Sequence, residues 1–287
     1  HLDYHPSIDD YRRTKMSPFR TLHQGNKDAA GKTAVVNRDD PVGREIIELC
    51  RAPVISYGFE PAADLSADKI ELGPEGSSFR VSYRGEEFQA ATPLLGRHNV
   101  YNLLAVIGLG LTEGIALPTI LNYLKTAPAI PGRLEAVRGG QDFNLLIDYA
   151  HTPDALENVI GAMKEIYRGE LTVVFGCGGD RDRSKRPLMG KIAARLADRV
   201  IITSDNPRSE DPEAIIDDIE SGIPDGFNKI ERESDRRRAI RLACRTAKPK
   251  DVVLIAGKGH EERQIFKDHV IPFSDREEAL RAIEERT

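Results

Sequence analysis

The chain has 287 residues, a length that favours two domains, and its 30% charged and 40% hydrophobic residues are ordinary for a globular protein with a substantial core. The formal net charge of -5, with acids and bases interspersed, argues against binding to nucleic acid or to a membrane surface. Three scattered cysteines without a C-x-x-C spacing argue against a disulfide framework and a zinc knuckle, and they fit a reducing cytoplasm. No apolar run approaches the ~20 residues of a membrane helix, so we expect a cytoplasmic protein without membrane insertion.

The first half of the chain predicts helices and strands in irregular alternation. In chain order the patterns indicate a helix over 5–15, a strand over 33–37, a helix beginning at Asp40 and Pro41, a strand over 53–58, a hairpin over 78–92 and a largely apolar, buried helix over 96–114. We place a domain boundary near residue 129, within the proline-rich stretch 127–133.

The second half is regular. Four apolar runs, at 143–150, 171–176, 199–205 and 251–257, each lead into a polar or glycine-containing loop, with helical patterns at 153–167, 186–197 and 212–222 between them. This alternation predicts a doubly wound parallel sheet whose functional loops lie at the carboxyl ends of the strands.

One segment of the first half resembles a nucleotide-binding motif but does not match it. The segment "GNKDAAGKT" (25–33) resembles a phosphate-binding P-loop, but five residues separate its first two glycines where the pattern needs four. It also leads into a strand, whereas a P-loop opens a helix whose amides face the phosphate. We therefore predict a solvated loop.

Polar loops follow all four predicted strands of the second half. They are "DYAHTPDAL" with Asp148 and His151, "GCGGDRDRSKRP" with Arg181, "DNPR" from Asp205 to Arg208, and "GKGHE" from Gly257 to Glu261. Each alone is more often structural than functional. Because the carboxyl ends of parallel strands meet at one edge, the four together predict a small-molecule site. In the first half, Asn99 and Asn102 lie one helical turn apart.

Seven segments together resemble the Mur ligase family. In order they are "HLDYH", "GRHNVYN", "PGRLEAV", "DYAHTPDAL", "GCGGDRDRSKRPLMG", "SDNPRSEDP" and "GKGHE", which span nearly the whole chain. The resemblance implies an α/β fold: the latter part of an α/β ATP-binding central domain over 1–128, then a Rossmann-like doubly wound amino-acid-binding domain over 129–287. It also implies an ATP-dependent, ADP-forming amide ligase of peptidoglycan synthesis that uses ATP and Mg²⁺.

Within that family the motifs are most similar to those of enzymes that add meso-diaminopimelate to UDP-N-acetylmuramoyl-L-alanyl-D-glutamate. The residues that the resemblance places near the metal are His1 and Lys15, the latter as a carbamate. Those that it assigns to ATP are Asn99, Asn102, Arg133, Asp148 and His151. Those that it assigns to meso-diaminopimelate are Arg181, Asp205, Asn206, Pro207, Arg208, Gly257 and Glu261.

The "DNPR" segment indicates which of two possible amino acids is the substrate. The distal end of meso-diaminopimelate carries an ammonium and a carboxylate, and Arg208 and Arg181 suit carboxylates while Asp205 and Glu261 suit an ammonium. Lysine lacks the second carboxylate, so a buried Arg208 would be left unpaired. A lysine-adding ligase and a non-catalytic assembly protein of the same fold remain the alternatives. The family's P-loop and UDP-binding domain would precede "HLDYH", so we expect these residues alone not to complete the reaction.

Overall fold

A computed structural model of the chain describes residues 7–24 and 32–286. It divides into two compact units, residues 1–128 and 129–287. No helix within the described ranges has the length and apolar character needed to cross a membrane. The expected solvated loop at 25–33 lies almost entirely outside the described residues, as does His1.

The first unit contains one sheet with helices packed against it. Its elements are α1 (Ile8–Thr21), β1 (Ala34–Asn37), α2 (Pro41–Leu49), β2 (Val54–Gly58), β3 (Leu65–Gly73), β4 (Gly76–Tyr83), β5 (Glu86–Thr92), α3 (Arg97–Thr112) and α4 (Leu117–Leu124). The strands lie in the order β1-β2-β3-β4-β5. Neighbours are parallel from β1 to β3 and antiparallel from β3 to β5.

Local chemistry explains where α2 begins. Asp40 caps it by accepting from the backbone N–H groups of Val42 and Gly43, with Pro41 in the first turn. The expected hairpin is also present, as β4 and β5. Strand β3 and helix α4 had not been expected.

Two expected helices of the first unit differ in the structure. Helix α1 continues past Lys15 to Thr21, with Pro18 inside it, because Met16 is buried in a core cluster that extends the packing beyond the polar segment. Helix α3 is not buried on all sides. Its Val106 and Leu109 are 52% and 58% exposed, since only one face of the helix contacts the sheet.

The second unit is built on a six-stranded sheet. Its elements are β6 (Glu135–Val137), β7 (Asn144–Asp148), α5 (Pro153–Ile166), β8 (Leu171–Phe175), α6 (Lys185–Leu196), β9 (Arg199–Ile202), α7 (Pro212–Glu220), β10 (Ile230–Arg232), α8 (Arg236–Thr246), β11 (Val252–Ala256), β12 (Arg263–Ile265), β13 (Val270–Pro272) and α9 (Asp275–Glu284). The sheet order is β10-β9-β8-β11-β7-β6, in which only the pairing of β6 with β7 is antiparallel.

Both faces of this sheet are covered, as a parallel sheet requires. Alternate strand residues, among them Val174 and Ile255, join α8 and α9 in one core cluster. Residues of the opposite alternation, such as Val173 and Leu254, are also fully buried, and α5, α6 and α7 pack side by side over that face. The predicted doubly wound sheet is therefore confirmed.

A small antiparallel hairpin, β12–β13, follows the fourth strand-end loop. Its Ile265 accepts a hydrogen bond from the backbone N–H of Arg208 at 3.0 Å, and the side chain of Gln264 donates to the carbonyl of Asp205 at 2.8 Å. The hairpin thus fixes the "DNPR" segment from one side.

Candidate active site

The parallel strands β7, β11, β8 and β9 are adjacent and end at one edge of the sheet. Asp148 therefore ends β7 beside the loop that follows β11, and the loops after β8 and β9 are the next two along the edge. The four polar loops predicted to converge lie together.

The loops after β8 and β9 are bonded to each other. The backbone N–H of Gly179 donates to the carbonyl of Asn206 at 2.9 Å, and Nη1 of Arg208 donates to the carbonyl of Gly179 at the same distance. A Cβ at Gly178 would lie 2.9 Å from Arg208 Nη1 and 3.7 Å from Arg181 Cγ. The guanidinium of Arg208 and the aliphatic part of the Arg181 side chain thus both lie close to Gly178, while Nη1 of Arg181 donates to the carbonyl of Asp180 at 3.1 Å.

Arg208 adopts an unusual backbone conformation for a residue with a side chain. Its φ is +51°, in the left-handed region. Strain of this kind persists where surrounding contacts impose it, and here the bond from the Arg208 N–H to Ile265 supplies such a contact. The side chain is half-buried, rather than buried as expected.

Glu261 lies on the loop after β11 and faces the "DNPR" segment. Its Oε2 accepts from Asn206 Nδ2 at 2.9 Å and from Lys258 Nζ at 2.9 Å. Partial burial raises the pKa of Glu261, but the hydrogen bonds from Lys258 and Asn206 and the charges of Lys258 and Arg208 outweigh it, so the net pKa is lowered. Glu261 is therefore a carboxylate at neutral pH, as an ammonium partner must be.

Asp205 has a different environment from Glu261. It is 7% exposed, and burial raises its pKa despite the opposing charges of Arg236 and Lys258. A Cβ at Gly257, whose φ is +116°, would lie 2.7 Å from Asp205 Oδ2. Gly257 thus permits close packing over Asp205, which lies in a charged layer behind the surface that carries Glu261.

Two buried arginines support these loops. Arg236 forms a two-point ion pair with Asp275, both distances being 2.7 Å, and donates to the carbonyl of Ala256 at the end of β11. Arg186 bonds Glu210 through both Nη atoms, and its Nη1 also bonds Asp218. Arg236 stabilises the ends of β9 and β11, and Arg186 stabilises the segment that follows "DNPR".

The residues assigned by resemblance to ATP in the second unit lie around Tyr149. The guanidinium of Arg133 lies over the Tyr149 ring at 5.0 Å from its centroid, and the His151 ring contacts the same tyrosine edge-on at 4.7 Å. Asp148 Oδ2 and Oδ1 accept from the backbone N–H groups of Leu134 and Ala150 at 2.9 and 2.8 Å. Asp148 therefore positions the segment that carries Arg133, while Arg133 and His151 are exposed.

In the first unit, Asn99 and Asn102 form a pair on α3. Asn99 is 2% exposed and donates to the carbonyl of Leu95, while Asn102 Nδ2 donates to Asn99 Oδ1 at 3.2 Å. Asn99 thus holds the start of the helix, and Asn102 is the exposed member that a ligand can reach.

The expected metal-supporting residues are only partly described. Lys15 is exposed on α1 with its Nζ 5.6 Å from the centroid of the Tyr11 ring, and His1 lies outside the described residues. Across 7–24 and 32–286, no group of three or more His, Cys, Asp or Glu side chains could hold a metal ion.

Sequence reasoning missed three buried charged residues that shape the site, and it took a fourth, Arg186, only for one cation of a possible anion site. The three missed residues are Arg236, Lys258 and Asp275, and all four have 0% exposed side chains. Lys258 lies inside the "GKGHE" segment, so its motif offered a signal. Arg236 and Asp275 are 39 positions apart and offered none.

Two family models match the chain. The Mur ligase middle domain matches residues 1–110, and the Mur ligase glutamate ligase domain matches residues 132–259. The chain belongs to the Mur ligase family. The resemblance drawn from the seven motifs is confirmed.

Curated relatives within the Mur ligase family match the whole chain. Proteins named UDP-N-acetylmuramoyl-L-alanyl-D-glutamate--2,6-diaminopimelate ligase from Geobacillus thermodenitrificans and Thermosynechococcus vestitus are 44% and 46% identical over 100% of the chain. The protein of the same name from Syntrophomonas wolfei is 45% identical over 97% of the chain. The chain spans 56–58% of the length of these relatives.

Solved structures of Mur ligases are also similar to the chain. A structure of a UDP-N-acetylmuramoyl-L-alanyl-D-glutamate--2,6-diaminopimelate ligase aligns with a TM-score of 0.68 and 34% identity, covering 100% of this chain and 58% of the other. The MurF ligase from Thermotoga maritima in complex with ADP aligns with a TM-score of 0.70 at 16% identity over 100% of this chain and 58% of its own, which supports the fold alone.

Proposed function

We propose that the chain is the part of an ATP-dependent amide ligase that binds the incoming amino acid, meso-diaminopimelate, for addition to UDP-N-acetylmuramoyl-L-alanyl-D-glutamate. The observation that carries the proposal is that Arg208 and Glu261 interact at the carboxyl ends of the sheet strands, with the Arg181 side chain beside Gly178 on the loop between them. Arg208 and Arg181 flank Gly178, and the charge of Arg208 acts on Glu261. Such a site offers cations and an anion to a zwitterionic group.

The preference for diaminopimelate over lysine follows from Arg208. Its guanidinium is half-buried and is hydrogen-bonded only to backbone carbonyls among the described residues. A carboxylate would pair the charge in the two-point geometry that suits a guanidinium. Lysine has no group to do so, and a partly desolvated charge without its counter-ion costs about 1–3 kcal/mol.

We assign the nucleotide contacts on the family resemblance, for each unit by itself. Arg133, held over Tyr149, and the exposed His151 fit an anionic nucleotide on the second unit, with Asp148 positioning their loops. Asn102, positioned by Asn99, provides an amide on the first unit. We assign Lys15, as a carbamate, and His1 to the Mg²⁺ that accompanies ATP, on the family resemblance.

The chemistry explains why ATP is needed. A carboxylate resists an amine until one of its oxygens becomes a good leaving group, and phosphorylation by ATP provides that group. The amine of the bound amino acid then displaces phosphate and forms the amide. The contribution of this chain is to hold that amine in position, which removes the entropic cost of bringing it to the acceptor.

Isothermal titration of the chain with meso-diaminopimelate and with L-lysine tests the proposal. We expect meso-diaminopimelate to bind at least ~10-fold more tightly, which corresponds to about 1.4 kcal/mol. Equal or tighter binding of L-lysine would contradict the assignment to diaminopimelate. Binding of neither amino acid would favour a non-catalytic assembly role.

A further inference from the structure

Lys258 is a fully buried lysine between the two loops that carry Asn206 and Glu261. Its side chain is 0% exposed, and Nζ donates to Asn206 Oδ1 at 3.1 Å and to Glu261 Oε2 at 2.9 Å. Nζ also lies 3.9 Å from Asp205 Oδ1. A buried ammonium is costly unless it is paired and hydrogen-bonded, so this side chain is fixed by all three neighbours.

The bonds from Lys258 make the two oxygens of Glu261 unequal. Oε2 receives both Lys258 Nζ and Asn206 Nδ2. No hydrogen bond from the described residues reaches Oε1, and the side chain of Glu261 is 32% exposed. Oε1 is therefore the oxygen that remains available to a ligand.

Lys258 also decides which way the amide of Asn206 faces. Oδ1 of Asn206 accepts from Lys258 Nζ and from the backbone N–H of Ile265 at 3.0 Å. Turning the amide over would place its NH₂ group against these two donors and would remove the bond to Glu261. Asn206 and Glu261 are thus set as a unit by one buried cation.

We infer that Lys258 is a positioning residue, which locks Asn206 and Glu261 together so that Oε1 of Glu261 accepts a hydrogen bond from the ammonium of the amino-acid substrate. The inference rests on the proposed function, because that function supplies the ammonium. It differs from a direct contact, since Lys258 is buried behind the two residues that it orients.

The charges around Glu261 predict what removal of Lys258 does. Besides Lys258 on its own loop, Glu261 faces Asp205 and Arg208 from the loop after β9 and Arg236 from α8. Without Lys258, partial burial and the nearby Asp205 both favour the protonated carboxyl. The pKa of Glu261 then rises, so that on acidification the carboxylate is protonated sooner and loses its attraction for the ammonium.

The first experiment needs no ligand. Side-chain carboxyl ¹³C NMR of the 287-residue chain follows the titration of Glu261, whose signal is assigned by its loss in Glu261→Gln. We expect the midpoint to move up by at least ~1 pH unit in Lys258→Met, as loss of a close opposite charge does. The exposed Lys191→Met should leave it unchanged. An unchanged midpoint in Lys258→Met overturns the inference, whatever the chain binds.

The second experiment measures affinity for meso-diaminopimelate between about pH 4.5 and 7, the range in which a raised Glu261 midpoint would fall. We expect wild type and Lys191→Met to bind alike, and Lys258→Met to bind ~10–100-fold more weakly at pH 7, with a further loss on acidification. A general structural defect would not make binding pH-dependent, so a uniform loss across the range contradicts the inference. Absence of binding by wild type rejects the proposed function instead.

Folding of the variant is checked separately by thermal unfolding. Should Lys258→Met not fold, Lys258→Gln retains donors for Asn206 and Glu261 without the charge. We expect Lys258→Gln to keep the two residues in place but to raise the Glu261 midpoint, so that affinity falls mainly below about pH 6. Wild-type titration and affinity in Lys258→Gln would overturn the role of the Lys258 charge.

Discussion

Arg236 and Asp275 form a two-point ion pair in which both side chains are fully buried. Nε and Nη2 of Arg236 donate to the two carboxylate oxygens of Asp275, each at 2.7 Å. The same guanidinium donates to the carbonyls of Ser204 and Ala256 at 3.4 and 3.0 Å. The pair therefore joins α8 and α9 to the ends of β9 and β11, directly beneath the candidate site.

Removing one member of this pair should destabilise the second unit. Asp275→Asn leaves the Arg236 charge buried without its counter-ion, so we expect the free energy of unfolding to fall by about 3–5 kcal/mol, measured by urea denaturation. Glu157→Gln, which breaks an exposed pair with Arg195, is the control and should change it by less than about 1 kcal/mol. Equal effects in the two variants would contradict a structural role for the buried pair.

Gly178→Ala should weaken ligand binding with little effect on the free energy of unfolding. The new Cβ would lie 2.9 Å from Arg208 Nη1, the far end of a flexible side chain, which can move away at little cost to the fold. We expect stability to change by no more than about 0.5 kcal/mol, as for most surface substitutions, while calorimetric affinity for meso-diaminopimelate falls severalfold. In the control Gly161→Ala, a Cβ meets nothing within 4 Å, and affinity should be unchanged.

Arg208→Lys should reduce discrimination between the two amino acids. A lysine ammonium cannot form the two parallel bonds that a guanidinium makes with a carboxylate. We expect meso-diaminopimelate to bind ~10-fold more weakly, or about 1.4 kcal/mol, while L-lysine binding changes little. Arg195→Lys, at an exposed position on α6, is the matched control. A parallel loss for both amino acids would show that Arg208 does not read the distal carboxylate.

Glu210 should make stability depend on acidity. Hydrogen bonds from Arg186 lower the pKa of Glu210 from 4.5 to about 2. Because the folded pKa lies below the unfolded one, the stabilisation is present above about pH 4.5 and is lost as the pH falls toward 2. The advantage of wild type over Glu210→Gln in urea unfolding should therefore shrink between pH 5 and pH 3. The exposed Glu262→Gln should differ little from wild type at either pH.

Several features of the fold followed from local pattern. The apolar runs that became β7, β8, β9 and β11 are long enough, and separated by clear enough helical patterns, to specify a parallel sheet. The parallel arrangement then placed the loops that carry Arg208 and Glu261 at one edge. Shorter elements were missed, among them β6, β10 and the β12–β13 hairpin, since three-residue strands carry little periodic signal.

The sequence by itself determined which residue types meet at the strand ends, because parallel topology brings the ends of apolar runs together wherever they occur in the chain. Only the tertiary structure decided how far each charged side chain is buried. It placed Asp205 in a buried layer and left Glu261 partly exposed, although both are acids that follow apolar strands. It also paired Arg236 with Asp275 from distant segments. Burial and charge pairing depend on packing between elements that are far apart in sequence. A local sequence pattern does not show which distant elements will pack together.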